Sequence, residues 1–491
     1  MPARTGGVAA GDEGDLSTTD ALYEYDREPV GEEGLKPGRY FAGLMAGEHV
    51  AGTEFVIGSL FVLSGVTFWD LIGGLLFGNA LAVLSWTLIC TPIATDVRLT
   101  LYWYLRRVAG PSFTAVYNVV NAFLYCVLAG AMIAVATTAV GLAFGLPTPD
   151  LTAVLPPSFA WVAITLSIGA LFTLVAVLGF DEVSRFASIC SPWIFVVFLA
   201  GAVAMLPRLG VEPDLSNLYT VATEEIWNGE VAEGRSKLGF WHVTFFAWIA
   251  NLAMHVALSD MALFRYAKNW KYGLYSAIGM YTGHFLAWIC SGVMVAAVGR
   301  QMNPGLMAYE AVGFAGAFAV LAAGWTTATP TLYRAGLALQ AITPDWTRWK
   351  VTAVTGAVTA VLACFPVFFL RLLNYVAIYG LVVMPVGAIV FTEHWIVPKL
   401  GVERYRTERL GHALNWKAAA VWVATLAFCY GLFQVGVHEY FVWLPGYLFA
   451  IAAYAGLKAA LDRGETPPAA RADGAAASNA RPAASKTRQT T

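Results

Sequence analysis

Apolar residues fill long, nearly continuous runs along this chain, and polar residues gather between them. An amphipathic helix of a soluble domain would mix the two classes every three or four positions. Runs of roughly 20 apolar residues instead match helices that cross a bilayer core. The pattern predicts twelve spans, at 42–64, 69–94, 114–145, 158–179, 186–206, 240–262, 273–299, 311–336, 351–370, 373–396, 416–436 and 440–461. Only 207–239 and 397–415 are long connections. Residues 1–38 are polar and rich in Gly and acids, and residues 463–491 are mostly Ala, Pro, Arg and Thr. Both ends are expected to be disordered, because neither buries enough apolar area to offset the entropy of ordering. The predicted fold class is all-α and polytopic, with a transmembrane domain over 39–462.

Charge gives the spans an orientation. If the N-terminus is cytoplasmic, Arg98, Arg106, Arg107, Arg185, Arg265, Lys268, Lys271, Arg348, Lys350, Lys399, Arg404, Arg406, Arg409 and Lys417 all fall inside. Only Arg208, Arg235, Lys237, Arg300 and Arg371 fall outside. That bias predicts a multi-pass protein of the cell (inner, cytoplasmic) membrane with both termini cytoplasmic. A miscounted span would mix the two sets.

Composition narrows the function. Of 491 residues, 58% are hydrophobic and 13% charged, which excludes a soluble multidomain enzyme. A net charge of −2 leaves no basic face for nucleic acid. The six cysteines sit in or beside apolar segments without a CxxC pair, so neither disulfides nor a metal framework is expected. The first forty residues contain no apolar core, so no cleavable signal peptide is expected and the first span must do its own targeting. No P-loop, nucleotide fingerprint or HExxH occurs. No cofactor beyond a coupling ion is expected, and no obligate protein partner is evident; the expected partners are a small-molecule substrate and membrane lipid.

Two spans are interrupted at corresponding places. The first contains Gly47-Glu48-His49-Val50-Ala51-Gly52-Thr53-Glu54, with carboxylates, an imidazole and glycines at mid-membrane. The sixth carries Trp248, Asn251, His255, Ser259 and Asp260. These spans head two five-span halves, 42–206 and 240–396, followed by two extra helices over 416–461. Paired broken helices in inverted halves point to a midplane site in secondary transporters. On a regular helix Glu48 and Glu54 would lie about 240° apart around the axis. Unwinding at Gly47–Gly52 would free Glu54, with His255, to enter a cavity while Glu48 stays near the break. The adjacent Thr326 and Thr327 of the eighth span offer hydroxyls to a hard cation, or simply back-bond to their own helix.

Several stretches carry a family resemblance. Trp325-Thr326-Thr327 followed by Leu332-Tyr333-Arg334-Ala335-Gly336-Leu337 is similar to the eighth-helix signature of the nucleobase:cation symporters, which include purine and cytosine permeases and hydantoin transporters. Gly65-Val66-Thr67-Phe68-Trp69-Asp70 through Gly78-Asn79, Arg265-Tyr266-Ala267-Lys268-Asn269, Pro385-Val386-Gly387 and Asn415-Trp416 keep the family's order over about residues 40–460. The resemblance implies the leucine-transporter fold, alternating access, and symport of a small heterocycle such as a nucleobase with Na⁺ or H⁺. It places the cation at Ala323, Thr326 and Thr327, with first-span carbonyls near Glu48 and Gly52. It places the substrate among Thr53, Glu54, Tyr125, Asn251, His255 and Thr329. The chain departs from the family where Phe123 and Tyr125 replace a stacking Trp and Thr329-Pro330 replaces an Asn. Its acids in the first span suit an amine or other small metabolite as alternative cargo. An uncoupled channel or uniporter is a further alternative, as is a membrane enzyme using Glu48, His49 and His255. Trp69, Trp86, Trp103, Trp161, Trp349, Trp395 and Trp443 are expected in the interfacial belts, Glu393-His394 in solvent, and the basic run 404–409 against lipid headgroups.

Overall fold

A computed structural model describes residues 22–462 apart from 148, 150–152, 301 and 344. The expected disorder at 1–21 and 463–491 lies outside the described residues. Among the described residues, eight helices are long and apolar enough to cross a membrane: Phe68–Val97, Pro111–Ala143, Phe159–Leu178, Phe180–Leu209, Trp270–Val298, Tyr375–Leu400, Trp416–Gln434 and Glu439–Asp462. Four more segments complete the expected twelve. The first span is split into Gly38–His49 and Glu54–Leu63. The sixth is split into Phe240–Ile249, Leu252–His255 and Met261–Phe264. The eighth and ninth are Phe314–Gln340 and Arg348–Ala363. Among the described residues, β pairing is limited to two isolated bridges, Ser64 to Val231 and Thr67 to Asn228. All-helical spans satisfy backbone polar groups internally, as a bilayer demands.

The eighth span lies at the centre, packed along the third and also against the first, fifth and ninth. Small residues permit this closeness. A Cβ at Gly324 would stand 2.9 Å from the Met132 carbonyl oxygen of the third span. The motif residues are mostly structural devices. Thr67 caps the second span, its hydroxyl accepting from Asp70 N at 3.2 Å. Gly78 crosses the sixth span, where a Cβ would lie 2.3 Å from Thr244 O. Asn269 and Asn415 cap the helices that follow them. The Asn415 amide also donates to Val108 O and Tyr454 Oη, each at 3.0 Å.

Gly387 lets the tenth span lean on the broken part of the sixth. A Cβ there would meet Val256 O at 2.2 Å and Ala257 Cα at 2.6 Å, both backbone atoms. Gly387→Ala should therefore lower stability by about 1–3 kcal/mol through overpacking. The thermal midpoint in detergent reads this, and an unshifted midpoint would remove the close-approach argument.

Several surface expectations are corrected. Trp86, Trp161 and Trp443 are fully buried, whereas Trp69 is exposed as a belt residue would be. Trp86 and Trp161 bury because their indole N–H groups find partners, Asp260 Oδ2 at 2.6 Å and Cys364 O at 3.1 Å. Glu393 and His394 are buried too. Glu393 Oε2 accepts from Tyr454 Oη at 3.0 Å and lies 3.4 Å from Lys458 Nζ, and His394 Nε2 lies 3.2 Å from Asp96. The basic run is spent within the protein: Arg406 pairs with Asp462 at 2.5 Å and Arg409 with Glu403 at 2.7 Å. Residues 22–37, expected in the disordered tail, are folded onto the same face of the molecule. That face carries most of the Arg and Lys connections and is called the basic face below. The six cysteines are free thiols.

Candidate functional site

The first span breaks after His49. Val50 leaves helical geometry at φ −97°, ψ 59°, and helix resumes at Glu54. Two glycines of the seventh span make room for the break. A Cβ at Gly279 would lie 2.3 Å from Met45 O, and one at Gly283 would lie 2.2 Å from His49 O. The sixth span unwinds at Asn251 and again beyond His255, where Leu258 takes a left-handed φ of 68°. A buried leucine in that region marks a strained turn held by its surroundings.

A buried charge cluster ties the two breaks to the eighth span. The Arg334 guanidinium grips Glu48 with both forks, Nη1 to Oε1 at 2.5 Å and Nη2 to Oε2 at 2.9 Å. Its Nη2 also contacts Asp260 Oδ1 of the sixth span. Asp260 Oδ2 accepts the Trp86 indole N–H. All four side chains are buried. A bidentate arginine is the side chain suited to hold carboxylates at membrane depth.

Beside this cluster lies a cavity of about 300 Å³. Its inner end is bounded by Glu48, Thr53, Thr327 and Thr331, and its walls by Glu54, Met132, Phe246, Asn251, His284, Trp288 and Tyr379. It is also lined by Arg235, in the connection 207–239, and by Glu439, the first residue of the last span. The Trp288 indole N–H donates to Glu54 Oε2. The Trp288 ring is stacked on His284 at 4.4 Å and 12°. His284 Nε2 lies 3.4 Å from Asn251 Nδ2. The volume and the mix of apolar wall with few polar groups are those of a small-molecule site.

The expected site residues separate into groups. Thr53, Glu54 and Asn251 line the cavity. Tyr125 stands one layer behind, edge-on to Tyr379 at 5.4 Å. His255 does not line the cavity. It packs 4.6 Å from the Trp86 ring, and its Nε2 meets Trp248 O at 3.1 Å, because the unwound backbone exposes that carbonyl. Thr329 is buried and back-bonds to Trp325 O at 3.1 Å. Glu48 lines the cavity, and its carbonyl faces Thr327 Oγ1 at 3.3 Å. Ala323 O accepts from Thr326 Oγ1 at 3.2 Å and from Thr327 Oγ1 at 2.9 Å. Both hydroxyls thus back-bond to their own helix, and Thr327 also reaches Glu48 O, which leaves oxygen atoms of the type hard cations take on both sides of the contact. Gly52 lies apart from these oxygens, at the far end of the break, close to Val320 O and Val135.

Sequence reasoning missed Arg334 as the partner of Glu48, and Trp288 and His284 as cavity wall. For Arg334 the signal was present: an arginine within an apolar span requires a carboxylate, and two candidates lay in other spans. Trp288 carried no such signal, since an indole in a membrane helix is common.

No family model and no curated protein matches the chain. Solved structures do. The architecture is that of membrane transporters with the leucine-transporter fold. One similar structure is Mhp1, a nucleobase-cation-symport-1 family transporter, in a closed conformation with bromovinylhydantoin bound. It superposes with a TM-score of 0.68 at 17% identity, over 89% of this chain and 95% of that one. A Na⁺-coupled sialic acid symporter in a substrate-bound outward-open state matches with a TM-score of 0.62 at 12% identity, over 87% of this chain and 90% of that one. A manganese transporter of Eremococcus coleocola matches with a TM-score of 0.52 at 13% identity, over 88% and 95%. At these identities the likeness establishes the fold, and the fold expected from the sequence is the one found.

Proposed function

We propose that this chain is a secondary transporter, not an enzyme, that carries a small heterocyclic compound across the cytoplasmic membrane in symport with Na⁺ or H⁺ by alternating access. The observation that carries the reading is the helix break itself. At one place it brings together a cavity of ligand size and, from the first and eighth spans, oxygen atoms of the type hard cations take. Mhp1 and the sialic acid symporter, whose fold this chain shares, are a nucleobase-cation symport family member and a Na⁺-coupled symporter. With the basic face cytoplasmic, as the charge bias favours, the cavity faces outward and both described ends lie in the cytoplasm. The coupling ion serves in place of any other cofactor, and lipid is the remaining partner. Uptake of labelled hydantoins, nucleobases and small amines into proteoliposomes tests the reading. Accumulation should require an inward Na⁺ or proton gradient, and uptake indifferent to both would make the protein a uniporter or channel.

Thr327→Val keeps the shape of the side chain but removes the hydroxyl that meets Ala323 O and Glu48 O. It should raise the half-saturating Na⁺ concentration roughly tenfold, equivalent to about 1.4 kcal/mol, with little change in thermal stability. Because linkage is reciprocal, substrate should tighten Na⁺ by the same factor that Na⁺ tightens substrate. An unchanged Na⁺ dependence would remove the cation from these oxygens.

A further inference from the structure

We propose that the cavity recognises a positive charge on its ligand: a flat cationic or amine-bearing ring compound whose cationic group seats on the Glu54 carboxylate beside the Trp288 indole. This rests on the transport reading above and names the chemistry of its cargo. Glu54 is 4% exposed and forms part of the cavity wall. The Trp288 N–H donates onto Oε2, and the neighbouring Thr53 hydroxyl also bonds the carboxylate. Among the described residues no ion pair reaches Glu54, whereas Arg334 serves both Glu48 and Asp260. Arg334 is therefore committed elsewhere. An ionised carboxylate at membrane depth is expensive unless a cation faces it, and the space in front of Glu54 is the cavity.

The rest of the cavity agrees with a planar cation. Arg235 and Glu439 at the mouth carry opposite formal charges, so the entrance imposes no net sign. Asn251 and His284 offer neutral polar atoms, and Phe246 and Tyr379 supply flat apolar wall. The aromatic wall adds cation–π attraction for a charged ring. Two rival occupants for the carboxylate are a proton and the coupling Na⁺.

The test uses the purified full chain in nanodiscs and ring compounds matched in shape but not in charge: benzamidine against benzamide, and 1-methylnicotinamide against nicotinamide. The cationic members should raise the unfolding temperature, as native-state ligands do, and the neutral members should not at the same concentration. Glu54→Gln should weaken the cationic response at least tenfold, with Glu54→Asp in between. The comparison within wild type stands even if E54Q folds poorly. Neutral members binding as tightly, an unchanged response in E54Q, or no response to the cationic members would each overturn the proposal. So would a full Glu54-dependent shift produced by Na⁺ or acid alone. Gradient-driven accumulation of neutral heterocycles by wild type and E54Q alike would end this inference and leave symport intact. Gradient-independent uptake of the cationic members would do the reverse.

Discussion

Arg334→Ala is expected to destabilise the folded protein by about 3–5 kcal/mol, the usual cost of deleting one member of a buried ion pair. The deletion strands two buried carboxylates, Glu48 at the cavity's lining and Asp260 behind it. It also severs the tie between the first, sixth and eighth spans at the points where two of them are unwound. Backbone bonding at both breaks is confined to short turns rather than a continuous helix, so the loss should appear as reduced folded yield and a lower thermal midpoint. Arg334→Lys should recover only part of the loss, because an ammonium cannot make the two parallel bonds seen to Glu48. Glu48→Gln should be milder than R334A, since Arg334 would still face Asp260. An R334A protein as stable as wild type would show that the cluster is incidental to the fold.

The contrast between fold and site shows what a sequence can carry. Span positions were readable because bilayer burial requires long apolar runs, and each run reports on itself alone. The breaks were readable because Gly47, Glu48 and Gly52 are costly inside a membrane helix, and cost at a known depth is a local signal. Partners were not readable in the same way. Whether Glu48 faces Arg334 or His49, and whether His255 turns to the cavity or to Trp248 O, depends on how unwound segments seat against neighbouring helices. The Trp residues illustrate the limit. Trp69 and Trp86 look alike in sequence, yet Asp260 draws Trp86 inside while Trp69 stays exposed. A belt argument built on residue type cannot see a partner that lies more than a hundred residues away. The same blindness hid the folded segment at 22–37, whose polarity looks like a tail until Arg265 and Arg348 are placed beneath it.

That segment supports the second large prediction. Arg348 is fully buried at the start of the ninth span, with Nε 3.1 Å from Glu24 Oε2 and Nη2 donating to Leu22 O and Val177 O at 3.1 Å. Arg265 donates to Tyr25 O at 2.5 Å and to Glu24 O at 2.9 Å, and Glu24 Oε1 accepts from Phe180 N at 2.6 Å. The segment therefore straps the sixth, ninth and fifth spans together on the basic face. Arg348→Ala removes the cation from the half-buried Glu24 and the buried Asp26, and should weaken docking of the strap by about 3 kcal/mol. Hydrogen exchange at 24–36, corrected for intrinsic rates, should speed up roughly a hundredfold. Unchanged protection would show that Arg265 alone holds the strap. Docking should also depend on pH. Burial raises the Asp26 pKa from 3.8 to about 6, against the opposing pull of Arg348 and Arg265. The docked state thus binds a proton more tightly than the released state. Docking is then strongest below pH 4, weakens between about pH 4 and pH 6, and is level above that, a change on the order of 3 kcal/mol. Asp26→Asn should flatten this profile, and a flat wild-type profile would remove Asp26 as its source. Because Arg348 lowers the Asp26 pKa, the Arg348→Ala protein should show a steeper loss that extends to higher pH, an outcome that general destabilisation of the ninth span would not produce.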